Sequence, residues 1–318
     1  MLTIALLWLL VLLTIAFIYY SHYIEPRRLR LSRWRISIPR LPAELEGLKI
    51  VHLSDLHIRS ENKPFPLEVG RRAVQMALAQ KPDLVCLTGD LGQASRFMTS
   101  AAEVLRPLAD TPAWVVMGNH DHDKMLESEF SGPPEERLTT AQWRAVAEQA
   151  GLRVLLNQHA QCELRGVPVV VAGTGDASCG WDDLPATLSG EPRAALHLLL
   201  SHSPDIMDDP HSDWADLVLC GHTHGGQAKL PGLGTPWAPV WRDRRRSEGL
   251  FRVGEALCFV SRGVGAGIRT RFLCPPEVVE LTLTAHDGDR VRRLPRFGTL
   301  KKPILAPTPA LRDEQQEA

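Results

Sequence analysis

The sequence predicts an α/β fold, a largely parallel sheet with helices on its faces, carried behind an N-terminal transmembrane helix. Three observations predict it. From Gly47 onward, short apolar runs alternate with stretches of helical periodicity, the pattern of βα units. Three of those runs end in polar residues, Asp55 with His57, then Asp90, then Asn119 with His120. Ligands in open sheets of this kind bind beyond the carboxyl ends of the strands. Ahead of all this, residues 2–20 are almost wholly apolar and uncharged.

The length of the leading apolar run matches the ~20 residues that cross a bilayer as a helix. Phe17, Tyr19, Tyr20 and Tyr23 gather at its C-terminal end, where an interfacial aromatic belt lies. A cleaved signal peptide needs a basic start and a small-residue cleavage site. Nothing basic precedes this run, and it ends in the bulky Phe17-Ile18-Tyr19-Tyr20. A core helix would show a polar face, and this run has none. Residues 1–23 are therefore expected to be a retained transmembrane anchor. Residues 24–46 are expected to be a basic juxtamembrane linker, in which Arg27, Arg28, Arg30, Arg33, Arg35 and Arg40 outweigh the early acid Glu25. The positive-inside rule then predicts a single-pass protein of the inner (cytoplasmic) membrane, with its main body in the cytoplasm. The same arginines can lie against anionic headgroups or be solvated.

Residues 47–285 read as one domain. Leu48–Ser54 is a strand, Leu67–Gln80 a helix, Asp83–Thr88 a strand, Ala94–Arg106 a helix stopped by Pro107, and Ala113–Met117 a strand. Lys124 to Thr140 is charged and interrupted by Pro and Gly, as a loop over the site would be. Ala141–Ala150 has helical spacing. Shorter β-like runs follow at Arg153–Leu156, Ala160–Leu164, Val167–Ala172, Leu196–Ser201 and Asp216–Cys220, enough for a second sheet packed on the first. Gly225–Pro239 is rich in Gly and Pro, and a basic run follows at Arg242 and Arg244 to Arg246. Phe251–Val253, Ala256–Ser261 and Glu277–Leu283 close the domain with strands. Residues 286–318 form a C-terminal tail, rich in Pro and charge from Thr299, that is expected to be disordered.

Composition narrows the function classes. A net charge of −1 leaves no basic field for a nucleic-acid polymer. The six cysteines are widely spaced without a C-x-x-C pair. That argues against a zinc knot or a disulfide framework and for free thiols in a reducing compartment. No feature calls for an obligatory protein partner.

The polar strand ends carry the chemistry. Transfer of a phosphoryl group to water needs an ionised oxygen at neutral pH and an offset for the phosphate charge, and two divalent cations supply both. Asp55, His57, Asp90, Asn119, His202, His222 and His224 are a ligand inventory for such a pair. Carboxylate, amide and imidazole without thiolate suit Mn, Fe, Zn or Co. His222 and His224 alternate at a strand end, so both rings point to one side of the pleat. A lone His on an apolar strand, such as His197, is more simply a core histidine.

The order Asp55-x-His57, Gly89-Asp90, Gly118-Asn119-His120-Asp121, His202, Gly221-His222-Thr223-His224 resembles the calcineurin-like metallophosphoesterase superfamily, over roughly Leu48 to Leu283. The resemblance implies a four-layer sandwich of two mixed β-sheets flanked by helices, an α+β arrangement. It implies two divalent metal ions (Mn, Zn or Fe) as cofactors. Asp55, His57 and His224 would hold one, and Asn119, His202 and His222 the other, with Asp90 bridging. His120 would protonate the leaving oxygen or stabilise the transition state, and Asp121 would orient His120. A metal-bridging hydroxide would attack phosphorus in line. Protein phosphatases of this superfamily carry Asp-Arg-Gly after the G-D motif and G-N-H-E, whereas Leu91-Gly92-Gln93-Ala94 and Asp121 stand here, which disfavours a phosphoprotein substrate. Many relatives have an acidic residue where Gln93 stands.

Ser201-His202-Ser203-Pro204-Asp205, Gly221 to Gln227 and Ser261-Arg262-Gly263 are similar to the bacterial membrane-anchored branch. That branch includes enzymes proposed to cleave the pyrophosphate of UDP-2,3-diacylglucosamine in lipid A synthesis. An anchor beside the site favours such a lipid-linked phosphorylated substrate. A soluble nucleotide or another phosphodiester is the alternative, and a non-catalytic metal-binding scaffold is disfavoured because every ligand position and His120 are present. Arg262 is the candidate substrate-binding residue. Arg242, Arg244 to Arg246, Arg269 and Arg271 could join it in clamping a second phosphate, or be solvated. Trp237 and Trp241 could stack on a base, touch acyl chains or simply pack.

Overall fold

A computed structural model describes residues 1–59, 64–122, 136–240, 244–285 and 292–293. Most of the expected loop over 124–140, Trp241, Arg242 and nearly all of the expected tail lie outside them. Helix α1 (Leu2–Tyr19) has no buried residue and continues through short tighter and wider turns to Arg27. It is the one described helix long and apolar enough to cross a membrane.

The expected linker contains a full strand, β1 (Arg30–Ile38). Its residues alternate, with Ser32, Trp34, Ile36 and Ile38 buried and Arg33 and Arg35 exposed, so the arginines occupy only the solvent face. The sheet therefore takes in residues ahead of the Gly47 boundary.

After β2 (Lys49–Leu53) come α2 (Pro64–Leu78), β3 (Leu84–Thr88), α3 (Met98–Leu105), β4 (Ala113–Val116), α4 (Thr140–Gln149) and β5 (Arg153–Val154). The helix expected over 94–106 is thus shorter, with tight turns at both ends. Thr139 caps α4 reciprocally with Gln142, a capping box. The second half supplies β6 (Gln158–Leu164), β7 (Val167–Gly173), a four-residue α5 (Leu184–Thr187), β8 (Leu196–Leu200), β9 (Leu217–Cys220), β10 (Gly249–Val253), β11 (Ala256–Val260), β12 (Glu277–Ala285) and β13 (Arg292–Arg293).

Two mixed sheets result, ordered β13-β1-β12-β2-β3-β4-β5 and β10-β11-β9-β8-β7-β6. Strand alternation makes the layers. Val51, Leu53, Val85 and Leu87 pack outward under α2, α3 and α4. Ile50, Leu84, Cys86 and Trp114 face inward against Val169, Leu198, Leu219 and Phe259 of the second sheet. The outer face of that sheet is covered by α5 and by the turns carrying Ile206 and Met207. Each such fully buried side chain contributes about 1.5–3 kcal/mol. Parallel strands β2, β3 and β4, and likewise β7, β8 and β9, send their carboxyl ends to one edge. Cys86, Cys220, Cys258 and Cys274 are buried, Cys162 is partly buried and Cys179 is exposed, all as free thiols.

Candidate metal centre

The candidate ligands sit in the turns that leave those strand ends. Asp55 N donates to Gly89 O at 3.0 Å, and His57 N to Asp90 O at 2.9 Å, so the loops after β2 and β3 are stitched together. Asp55, His57, Asp90, His222 and His224 all have positive φ, between 47° and 67°. Non-glycine residues seldom adopt that conformation and hold it at a cost of order 1 kcal/mol or more each. Two glycines make room for the ligands. A Cβ on Gly118 would stand 2.3 Å from Asp90 Oδ1, and one on Gly221 would stand 2.4 Å from Asp55 Oδ2.

Two half-sites emerge. In the first, His57 Nε2 lies 3.2 Å from His224 Nε2, and His224 Nε2 lies 3.6 Å from Asp55 Oδ1. In the second, His202 Nε2 lies 3.2 Å from Asn119 Oδ1 and 3.1 Å from His222 Nδ1. Asp90 Oδ2 belongs to both, 3.4 Å from His57 Nε2 and 3.4 Å from His202 Nε2. Atoms about 2.1 Å from one cation and at right or tetrahedral angles stand about 3.0–3.4 Å apart, so these spacings fit a cation in each half. All seven expected ligands are brought together. The tautomer of His202 also fits, because its Nδ1 is 2.6 Å from the Thr88 carbonyl oxygen. A carbonyl only accepts, so Nδ1 carries a proton and Nε2 faces the site.

The protonation states differ between groups. Burial lowers His57 to about 3, lowers His222 to about 4, and holds His224 well below the usual imidazole range. His202 goes the other way. Burial would lower it, but Asp90, Asp176 and Asp55 raise it well above the ordinary value. Burial would raise Asp90, yet the imidazoles of His202 and His120 hold it well below the carboxylate range. Asp55 is pushed up to about 6 by burial.

His120 Nδ1 donates to the Gln93 carbonyl oxygen at 2.9 Å, with the Gln93 side-chain nitrogen at 3.2 Å. The ring therefore turns its Nε2 edge toward the cluster it shares with His57 and Asp90. Asp121 does not reach this ring, which corrects its expected role. Its carboxylate accepts from the backbone N–H of Leu91, Gly92 and Gly118 at 3.1–3.3 Å, tying the β3 and β4 loops together. Burial raises it to about 7. Gln93 positions His120 instead and also accepts from Arg59 at 3.3 Å.

Asp176, which the strand-end reading passed over, lies fully buried beyond β7 and groups with His202 and His222. Its signal was present: Thr174-Gly175-Asp176 repeats the tripeptide Thr88-Gly89-Asp90. Arg262 is likewise corrected. It is only 6 % exposed and is engaged by Glu277, by Ser32 Oγ at 3.3 Å and by Glu248 at 3.7 Å. Burial would push the Glu277 carboxyl up, but Arg262 brings it down to about 2. Arg271 is buried too, donating to the carbonyls of Arg262, Gly265 and Cys274 at 2.6–3.1 Å. Arg269 stacks over Tyr23, and Arg246 pairs with Asp208 at 3.1 Å. These arginines brace loops and one another's carbonyls, with Arg262 and Arg271 too enclosed for a substrate clamp.

Residues 48–226 match the family model described as calcineurin-like phosphoesterase. The chain is similar to phosphodiesterase YaeI of Escherichia coli, 35% identical over 83% of this chain and 92% of that protein. It is also similar to an uncharacterised metallophosphoesterase of Bacillus subtilis, YkuE, 29% identical over 83% and 88% of the two chains. The UDP-2,3-diacylglucosamine pyrophosphatase LpxG of Chlamydia trachomatis is 25% identical over 81% and 90%.

Proposed function

The chain belongs to the calcineurin-like phosphoesterase family, and from that premise we propose a membrane-anchored dinuclear-metal hydrolase that cleaves a phosphodiester or pyrophosphate bond in a lipid-linked substrate. The observation that carries the reading is Asp90 Oδ2, at 3.4 Å from an imidazole of each half-site. One carboxylate oxygen between two nitrogen-rich pockets is what a shared ligand requires. Two divalent cations bound there would supply a water ionised at neutral pH and an offset for phosphate charge.

The rest falls to the protein. Asp55, His57 and His224 hold the first position, and Asn119, His202 and His222 the second. His120, fixed through its Nδ1–H, turns Nε2 toward the leaving oxygen and would act as a general acid in its doubly protonated form, passing the Nε2 proton to that oxygen and keeping the Nδ1 proton. Asp121 keeps the loops carrying Asp90 and Asn119 in register. The lipid-linked part of the proposal draws on α1, read as a single-pass anchor of the inner membrane with the sheets on the cytoplasmic side, and on the likeness to an enzyme named for a diacylglucosamine substrate.

The test uses the full chain in detergent, loaded with Mn²⁺. Two metals per chain, a chromogenic phosphodiester turned over in preference to the monoester, and cleavage of UDP-2,3-diacylglucosamine in mixed micelles are expected. Preference for the monoester overturns the bond class. Turnover of soluble nucleotide diesters with none of the lipid removes the lipid-linked substrate and leaves the hydrolase.

A further inference from the structure

Among the described residues, the large apolar side chains that are exposed outside the first 24 positions are Leu230, Leu233, Trp237, Ile268 and Leu273. They fall on two segments that pair with each other. Phe272 N donates to Gln227 O at 2.9 Å, Lys229 N to Phe272 O at 2.9 Å, and the Gln227 side chain to Ile268 O at 2.9 Å. Beyond that pairing, Leu230 and Gly234 close a tight turn that presents Leu233 at 82 % exposure. An apolar group of this kind on a soluble face marks a surface made to be covered.

Its place relative to α1 says what covers it. The Phe272 ring meets Phe17 edge-on at 4.9 Å and Tyr20 at 6.3 Å. Arg271 N donates to Ser21 O at 3.0 Å, and Arg269 lies over the Tyr23 ring. The helical run continues to Arg27, but its uncharged part ends before Glu25. At 1.5 Å per residue the ~30 Å of a hydrocarbon core takes about 20 residues, so every placement of the span includes Phe17. A spanning α1 therefore needs Phe17 inside the apolar layer or at its boundary, which draws Phe272 and its paired segment to the same level.

We propose that Leu230–Trp237 and Ile268–Leu273 form a second membrane contact, seating Leu233, Trp237 and Ile268 in the headgroup–acyl boundary of the leaflet from which α1 emerges. The inference rests on the anchor reading above. It ties the metal centre to the bilayer surface, because the residues flanking Ile268–Leu273 bond the backbone of two candidate ligands. Cys274 Sγ donates to His224 O at 3.3 Å, and Gly265 N to Asp55 O at 2.6 Å. A lipid-borne phosphate then meets the first half-site without leaving the interface.

The test places a nitroxide on Leu233→Cys, Ile268→Cys, Val11→Cys or Gln161→Cys, with Cys162 and Cys179 replaced by serine. The full chain is held in phosphatidylcholine–phosphatidylglycerol nanodiscs. Collisions with oxygen, which concentrates in lipid, are compared with those of a water-soluble nickel chelate. The expected result is a ratio at Leu233 and Ile268 between that of Val11 and that of the exposed strand position Gln161. Water-like ratios at Leu233 and Ile268 with a lipid-like Val11 overturn the second contact and leave the anchor. Shielding from both reagents marks a protein-covered face and overturns it too. A water-like Val11 removes the anchor and the inference together.

Discussion

In the first half of the candidate metal centre, burial outweighs the pull of Asp90 on the imidazoles of His57 and His224 and keeps them neutral. In the second half, three carboxylates surround His202 and keep it protonated, so a proton occupies ground that a cation would take. Each half offers two imidazoles and shares Asp90, but the remaining ligand is the carboxylate of Asp55 in the first and the amide of Asn119 in the second, where the Asp176 carboxylate stands beside His202 and His222. The comparison teaches that a ligand set can be chemically matched and still load differently, because charge around the ligands sets the competition with protons.

The strongest test removes the element the halves share. Asp90→Ala should abolish binding at both, taking metal content by mass spectrometry from two per chain toward none. Phosphodiester turnover should fall roughly 10³-fold or more, as when preorganised charge stabilisation is lost. Loss of only one metal would show that the halves do not meet at Asp90. Next in size, His120→Ala should keep both metals and lower kcat about 10²–10⁴-fold, the range for a positioned general acid. Metal loss in that variant would make His120 a ligand rather than an acid.

How much of this was legible depends on what each residue's partner is. Asp55, Asp90, Asn119, His202 and His222 each end an apolar run, so strand periodicity alone pointed to one edge of a sheet. Asp176 ends a run as well, in the same Thr-Gly-Asp tripeptide as Asp90, but only the fold shows that it meets His202 and His222. Strand β1 hid behind arginines at 30, 33 and 35, whose charge spoke for a linker while Trp34, Ile36 and Ile38 spelled out a strand. Arg262 looked available because nothing local in Ser261-Arg262-Gly263 shows that Glu277 lies against it. Long-range pairing of that kind leaves no periodic trace.

Asp176 offers the sharpest test of the asymmetry. Asp176→Asn should weaken only the tighter-charged second half, by about 10–100-fold in metal affinity. It should also lower His202 toward its ordinary range, since one raising carboxylate is gone. The sign follows from the direction of the His202 shift. Below its raised value His202 carries a proton, so loading the second half near neutral pH releases it, and affinity there rises with pH. His57 is already neutral above about 3, so the first half gains from pH through Asp55, which burial raises to about 6, and is past that gain near neutral pH. Titration calorimetry in two buffers of different ionisation enthalpy should give close to one proton released for the second metal in the wild type and less in Asp176→Asn. Equal proton release at both halves would erase the distinction.

The smallest effect separates backbone from side chain at His120. Gln93 reaches that ring twice, through its carbonyl oxygen at 2.9 Å and its amide nitrogen at 3.2 Å. Only the carbonyl fixes the tautomer, because it can only accept, and Gln93→Ala keeps it. An Nδ1 that donates to the carbonyl cannot also accept from the amide, so the variant loses only the bond from Arg59, worth about 0.5–1.5 kcal/mol net. A two- to tenfold fall in kcat is therefore expected, with metal content at both halves and KM unchanged. A fall as deep as that of His120→Ala would mean the amide, not the carbonyl, holds the ring in place.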